Sequence, residues 1–599
     1  MHQINRDILK LAVPSILANI TVPIVGMVDI AVAGHLDASA ATLIGGIAMG
    51  SMLFDLLYWN FGFLRVGTGG LTAQAFGRKD WGECSRILTR ALGMSLAIAC
   101  CLLLIQWVFV KAAFVVVDCS PEVQELASKY FFIRIWAAPA TLSLMALKGW
   151  FIGMQDSVSP MVTDFVVNGM NVLMSIALAL GISLPLLAPA VSAALADSTV
   201  ALASGVSDVL PGAGSALAAS AALADSTVVL ASGVSGLIPG AGSGQIASEV
   251  VSVSRVLLPA MGFPGIALGT VVAQYSGLLV ALMIILFKYR RKVFAGFSFA
   301  DFRDVFKGGE TRRFFVMNAD LFVRSLCFIT IYIGFTVISA RYGDVLLAVS
   351  SIMMKILMMF SYFTDGFAYA GEAMTGRYIG AGDPVNLRKT VRWTFIWSMG
   401  LALLFIAIYH FGGVFLLRMM TSDATVVEAS RDFLPWLLLM PVVGCAAFTW
   451  DGIFIGATGS REMRNSMLWS VVAFAGVWFV GILLLDIHSS DSAGIAASIS
   501  LPTSSETLSL PPSSESLSLR TSLESLSLRT PSETPFSVSA HDMSTERLPA
   551  VPDQNPSRTP GATTYGIIAM HILMAAYFAH LLARTIYLTV KSRDVVRIS

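Results

Sequence analysis

The chain has 599 residues, 56% hydrophobic and 13% charged, with a formal net charge of +1. A soluble fold carries roughly a quarter charged residues, so this composition, with a mean hydropathy of +0.75, makes lipid the solvent for most of the chain. Near-zero net charge supplies no field for nucleic acid, and none is expected as a partner.

Apolar runs near or above ~18 residues predict membrane spans. They fall at 8–34, 41–64, 89–117, 130–154, 159–184 and 262–287, then at 314–340, 345–371, 391–418, 431–457, 466–486 and 565–589. The first run is long enough to span, so residues 1–10 do not read as a cleavable signal. The expected fold is an all-α polytopic membrane protein of about twelve transmembrane helices in two pseudo-symmetric six-helix bundles. The chain divides into spans one to five (1–185), an insertion (186–258), span six (259–290) and a basic linker (291–313). Spans seven to eleven (314–487), a second insertion (488–562), and span twelve with a basic tail (563–599) complete it.

Lys and Arg collect on one side of the spans. Arg78, Lys79, Arg86, Arg90, Lys288, Arg290, Arg291 and Lys292 share it with Arg312, Arg313, Arg377, Arg388, Arg461, Arg464 and Arg584. The positive-inside rule makes that side cytoplasmic, with both termini, in a cell (inner) membrane.

The halves repeat each other. Gly77-Arg78 matches Gly376-Arg377, Arg86 and Arg90 match Arg388 and Arg392, and Phe151-Ile152-Gly153 matches Phe454-Ile455-Gly456. Six spans separate the repeats, so both halves share one orientation. Transporters with this parallel symmetry hold substrate near the midplane between the halves.

The two insertions break the pattern. Residues 186–258 are rich in Ala, Ser and Gly, and AALADSTV recurs 28 residues on, at 193–200 and 221–228. Residues 488–562 are rich in Ser, Leu, Pro and Thr, with Glu506, Glu515, Glu524 and Glu533 recurring every nine residues. The second is expected to be disordered. The first reads as loop, either a tolerated insertion or a lid.

Charges inside spans cost roughly 2.5–3.5 kcal/mol each and need a reason. Span one holds Pro14, Asn19, Pro23 and Asp29. The prolines free backbone carbonyls and permit bending. Asp29 is either a proton- or cation-coupling carboxylate or a hydrated group near the outer end. In span five, Asp164, Asn168 and Asn171 share one helix face; the amides either meet Asp29 or a cation, or act as interhelical polar contacts. In span seven, Asp320 and Arg324 are four apart, beside Asn318, and are expected to pair. Asp365 and Glu372 lie two turns apart in span eight, either one a second titratable site. Asp451 stands where span four has Lys148, and the two are candidate partners. Arg65 and Arg134 need acidic partners, Asp55 being one candidate. The six cysteines read as small buried hydrophobes. No Walker loop, dinucleotide fingerprint, metal motif or nucleophile–base pair is present. An ATP-driven pump and an enzyme are therefore not expected, nor a cofactor or bound metal.

Long segments resemble one family. LAVPSILANITVPIVGMVDIAVAGHL (11–36), LRVGTGGLTAQAFGRKD (64–80), YFFIRIWAAPATLSLMALKGWFIGMQDS (130–157), MNADLFVRSLC (317–327) and YFTDGFAYAGEAMTGRYIGAGD (362–383) are similar to multidrug and toxic compound extrusion (MATE) transporters of the DinF-like branch. The resemblance covers nearly everything outside the insertions. It implies two six-helix bundles around a central cavity, and antiport of organic, cationic or amphipathic compounds against H⁺ or Na⁺ as coupling ion. It places the coupling carboxylate at Asp29, the bending proline at Pro14, and the fifth-helix asparagines at Asn168 and Asn171. Many relatives carry an acidic residue at the position of Ser175, which leaves more weight on Asp29 here. Asp365 resembles an acidic residue that helps bind cation in some relatives. The partners implied are small molecules and the bilayer, with the chain a monomer. Two other readings stand beside this one: a flippase for lipid-linked saccharides, using Arg65, Arg134 and Arg324 on a diphosphate, and a receptor or scaffold displaying the insertions.

Overall fold

A computed structural model describes residues 2–34, 40–116, 120–180, 182–183, 256–258, 261–293, 309–421, 423–499 and 560–597. In the first half α1 is His2–Gly34, α2 Ala40–Trp59, α3 Phe63–Gly77, α4 Trp81–Val116, α5 Pro121–Arg134, α6 Ala138–Gly153, α7 Val158–Leu180 and α8 Phe263–Ile284. One turn of 3-10 helix joins α2 to α3, another joins α5 to α6, and a π-turn at Ile285–Tyr289 follows α8. The second half has α9 Gly309–Ala340, α10 Asp344–Gly380, α11 Pro384–Met420, α12 Ala424–Arg431, α13 Leu434–Gly456, α14 Ser460–Ile499 and α15 Pro560–Arg597. Eleven helical segments among the described residues are long and apolar enough to cross a membrane, and α1 adds a further helix of 33 residues.

Spans two and eight run deeper than hydropathy predicts. The helices continue to Gly77 and Gly380, because Gly67-Thr68-Gly69-Gly70 and Ala370–Gly376 are buried between helices rather than hydrated. Small residues lower the hydropathy there while permitting close packing.

The internal repeat is structural, with a defined register. A Cβ on Gly149 would lie 2.1 Å from the Arg65 carbonyl, and one on Gly452 would lie 2.0 Å from that of Ala368. Likewise Gly153 abuts the Gly69 carbonyl and Gly456 that of Glu372. Gln155 and Thr458 both take positive φ, 64° and 56°, as do Lys79 and Gly382, 61° and 66°. Every one of these pairs is 303 apart (452 less 149, 456 less 153, 458 less 155, 382 less 79). In that register Gly77 corresponds to Gly380, one turn beyond the Gly376-Arg377 match expected from sequence. Asp80 and Asp383 then cap the following helices equivalently, accepting from the backbone of Glu83 (2.9 Å) and Asn386 (3.0 Å).

The halves meet at the basic end. Cβ atoms on Gly77 and Gly380 would each lie 2.1 Å from a carbonyl of the opposite half, Arg377 and Gln74. Gln74 also donates to the Gly456 carbonyl at 3.0 Å, and Gln155 to that of Ala373 at 2.7 Å. Elsewhere the exterior is apolar. Leu104, Phe287 and Phe411 are more than 80% exposed, which hydrocarbon alone makes favourable.

Ile182–Ser183 pairs antiparallel with Val256–Leu258, and Met261 donates to the Leu178 carbonyl at 2.8 Å. The ends of the first insertion are therefore adjacent, and α8 packs on α7 as if the intervening residues were absent. The rest of 186–258 lies outside the described residues. Helix α14 continues to Ile499, into the segment expected to be disordered; 500–559 lie outside the described residues. The chain divides into two units, 1–478 with 570–599, and 479–569. In the smaller unit the Tyr565 hydroxyl donates to Asp486 at 2.6 Å. Cys84, Cys327 and Cys445 are buried as expected, whereas Cys100 and Cys101 are exposed on the apolar face of α4; Cys119 lies outside the described residues.

Candidate functional site

Asp29 is buried in α1, 6% exposed. The Ser175 hydroxyl of α7 lies 3.0 Å from its Oδ1 and 3.4 Å from the Asn171 Oδ1. Asn171 in turn donates to the Thr270 hydroxyl of α8 at 3.0 Å. A polar chain Asp29–Ser175–Asn171–Thr270 thus links three helices inside an apolar bundle. Asn171 reaches Asp29 through Ser175 rather than directly. Asn168 takes no part: its amide donates to Thr21 on α1. Arg134 lies within electrostatic reach of Asp29, bonds the Tyr130 hydroxyl at 2.9 Å and sits over the Phe54 ring. The Asp55 side chain lies outside the described residues.

Both prolines lie within the continuous helix α1; the Pro23 side chain is outside the described residues. Pro14 has no N–H for the carbonyl four residues back, that of Lys10. The Ser157 hydroxyl donates to it at 2.9 Å from the α6–α7 turn. A side chain from another element thus satisfies the freed acceptor.

In the second half the expected pairs exchange partners. Asp320 bonds Arg464 at 2.5 Å and the Ser460 hydroxyl at 2.9 Å, not Arg324. Arg324 pairs with Asp451, and so does Arg584, whose Nε lies 2.9 Å from Oδ1. Lys148 pairs with Asp164 rather than Asp451. The reason is geometric: the partners stand on facing helices, and spacing along one helix describes neighbours on that helix only. Arg584 belongs by sequence to the basic tail, but it is 1% exposed within the bundle. Arg65 finds Glu372 across the halves at 3.0 Å and stacks over Tyr369. Asp365 makes no hydrogen bond or ion pair among the described residues, and Arg65, Arg584 and Arg324 are the charges that act on it.

At the basic end, outside the spans, Asp156 receives Lys288 (2.7 Å), Tyr289 (2.6 Å), and the Ser159 backbone and hydroxyl. Burial pushes its carboxyl up, but these donors outweigh that and hold it below the usual carboxylate range. The turn after α6 is thereby tied to the end of α8.

With this geometry in place, the MatE family model matches residues 14–177 and 321–485, one match in each half. The chain belongs to the MatE family. It is similar to DNA damage-inducible protein F of Escherichia coli, 30% identical over 473 residues, covering 79% of this chain and 84% of that one. It is also similar to the probable multidrug resistance protein NorM of Photorhabdus laumondii, 26% identical over 234 residues, 38% of this chain and 48% of that one. Among solved structures, the fold resembles the eukaryotic MATE transporter AtDTX14, with TM-score 0.62 and 11% identity over 99% of this chain and 98% of that one. It also resembles a MOP superfamily transporter from Pyrococcus furiosus, with TM-score 0.57 and 14% identity over 79% and 88%.

Sequence reasoning passed over several residues of this MatE protein. Thr270 carried a readable signal. Gly265 and Gly269 precede it at GxxxG spacing, and their Cα faces abut the backbone of Leu178 and Ser175. That close approach seats Thr270 against Asn171. Ser175 was legible as a departure from its relatives but not as the hydroxyl on Asp29. Ser157 and Thr21 had no signal beyond being polar.

Proposed function

We propose that this MatE transporter is a secondary-active antiporter. It exports organic, cationic or amphipathic compounds across the inner membrane in exchange for H⁺ or Na⁺, as a monomer with both termini in the cytoplasm and no cofactor. The observation that carries the coupling role is Asp29 itself: a carboxylate in α1, surrounded by apolar helices, whose one hydrogen-bonded neighbour among the described residues is Ser175. An ionised Asp29 accepts a hydrogen bond from the Ser175 hydroxyl. Neutralising Asp29 weakens that bond, and the hydroxyl turns to Asn171 Oδ1, 3.4 Å away. Loading the carboxylate thus changes which helices the chain holds together. Coupling requires the ion and the exported compound to favour different states of the bundle.

Sealing of the halves at the basic end agrees with one closed gate of an alternating-access cycle. The flippase reading loses part of its support, because Arg65 is paired with Glu372 and Arg324 shares Asp451 with Arg584. The test is efflux of a fluorescent organic cation from proteoliposomes under imposed pH or Na⁺ gradients, wild type against Asp29→Asn. Gradient-driven efflux lost in the variant is the expected result, and the effective gradient identifies the ion. Unchanged efflux in Asp29→Asn would remove Asp29 from the coupling role and transfer it to Asp365.

A further inference from the structure

A cavity of about 440 Å³ opens at the basic end between the first turns of α9 and α14. Arg312, Arg313, Arg461, Asp320, Glu462 and Val316 are among its walls. Asp320 is already neutralised by Arg464. Arg312 and Arg461 have no partner among the described residues, and Arg313 reaches only the Thr458 hydroxyl, at 3.4 Å. Among the described residues, three guanidiniums without an ion-pair partner thus face one unpaired carboxylate, Glu462. The N-termini of two long helices, Gly309 and Ser460, open into the same space and add partial positive charge. Deeper along both helices the surface turns apolar: Val316 and Val323 on α9, and Trp469 and Val472 on α14, are exposed.

We propose that this cavity binds the phosphate group of an anionic phospholipid, with its acyl chains along the apolar faces of α9 and α14. Guanidinium forks match phosphate oxygens, and an apolar wall directly below the charges suits a headgroup whose chains enter the bilayer. A free phosphate has no use for that wall. A second groove, of about 410 Å³ between α7 and α8, also has a cation at its rim. That cation is Lys288, and it is committed to Asp156. The α9–α14 cavity also borders the seam between the halves, since Thr458 receives Gln74 as well as Arg313.

The test uses the full-length protein in phosphatidylcholine nanodiscs, titrated with phosphatidylglycerol or with inorganic phosphate. Retained lipid is read by native mass spectrometry and stability by thermal unfolding. Phosphatidylglycerol is expected to be retained and to raise the melting temperature, with inorganic phosphate at equal concentration doing neither. Arg312→Gln/Arg313→Gln/Arg461→Gln should weaken retention about a hundredfold, at roughly one decade or less per arginine. Glu462→Gln should strengthen it about fivefold, a gain that misfolding cannot produce. Arg290→Gln/Arg291→Gln, at the same end but outside the cavity, should leave it unchanged. Equal retention of the two lipids, an unaffected triple variant, or an equal loss in the Arg290/Arg291 control would overturn the site. Stabilisation by inorganic phosphate alone would overturn the lipid assignment.

Discussion

Asp451 holds two arginines, Arg584 buried and Arg324 partly buried, and replacing it with asparagine isolates that role. The substitution keeps the shape and removes the charge. Asparagine keeps one acceptor oxygen, which Arg584 Nε at 2.9 Å can still use, but Arg584, 1% exposed, and Arg324 both lose their ion pair. Breaking a buried pair from one side costs about 3–5 kcal/mol, because the remaining charge stays desolvated. Here two like charges remain, so the upper part of that range is expected. Asp164→Asn is the comparison: its partner Lys148 is 33% exposed, and the loss should stay near 1 kcal/mol. Equilibrium unfolding in mixed micelles, followed by tryptophan fluorescence, measures both. Asp451→Asn/Arg584→Gln should recover at least half the loss, since it removes the stranded charge. A cost below about 1 kcal/mol for Asp451→Asn, or a double variant no better than the single, would refute the argument.

Three further outcomes follow from the geometry. Ser175→Ala removes the hydroxyl on Asp29 and should lower gradient-driven efflux about tenfold, the worth of one hydrogen bond to a charged group. Asn168→Ala, whose amide goes to Thr21, should stay within about twofold in the same proteoliposome assay; equal effects would dissolve the chain. Gly380→Val drives a Cβ into the Gln74 carbonyl and should destabilise the sealed basic end by about 1–3 kcal/mol. Spin labels at Lys79 and Val385 should then report a longer, broader distance distribution, and an unchanged one would contradict the close contact. Asp156 carries a pH prediction. Its carboxyl lies below the ordinary value of 3.8 in the folded protein, so the unfolded chain takes up the proton first as pH falls. Its stabilisation is complete above that value and is lost as pH falls through the lower folded one. Stability in acid should therefore fall less steeply for Asp156→Asn than for wild type; parallel profiles would exclude the role.

The sequence alone determined the bilayer as solvent, the number of long helices, the repeat of the halves and the family, because all of these are written in composition, run length and extended motifs. Asp29, Asn171 and Ser175 were legible as individuals, since polar groups stand out in apolar helices. Tertiary structure decided their partners. Asp320 with Arg464, Asp451 with Arg324 and Arg584, and Arg65 with Glu372 all join residues from different helices, and sequence spacing describes neighbours on one helix only. It likewise decided the register of the repeat, where small residues meet opposing carbonyls at Gly77 and Gly380. Hydropathy averages a helix over its whole circumference; which face touches which neighbour is settled by packing alone.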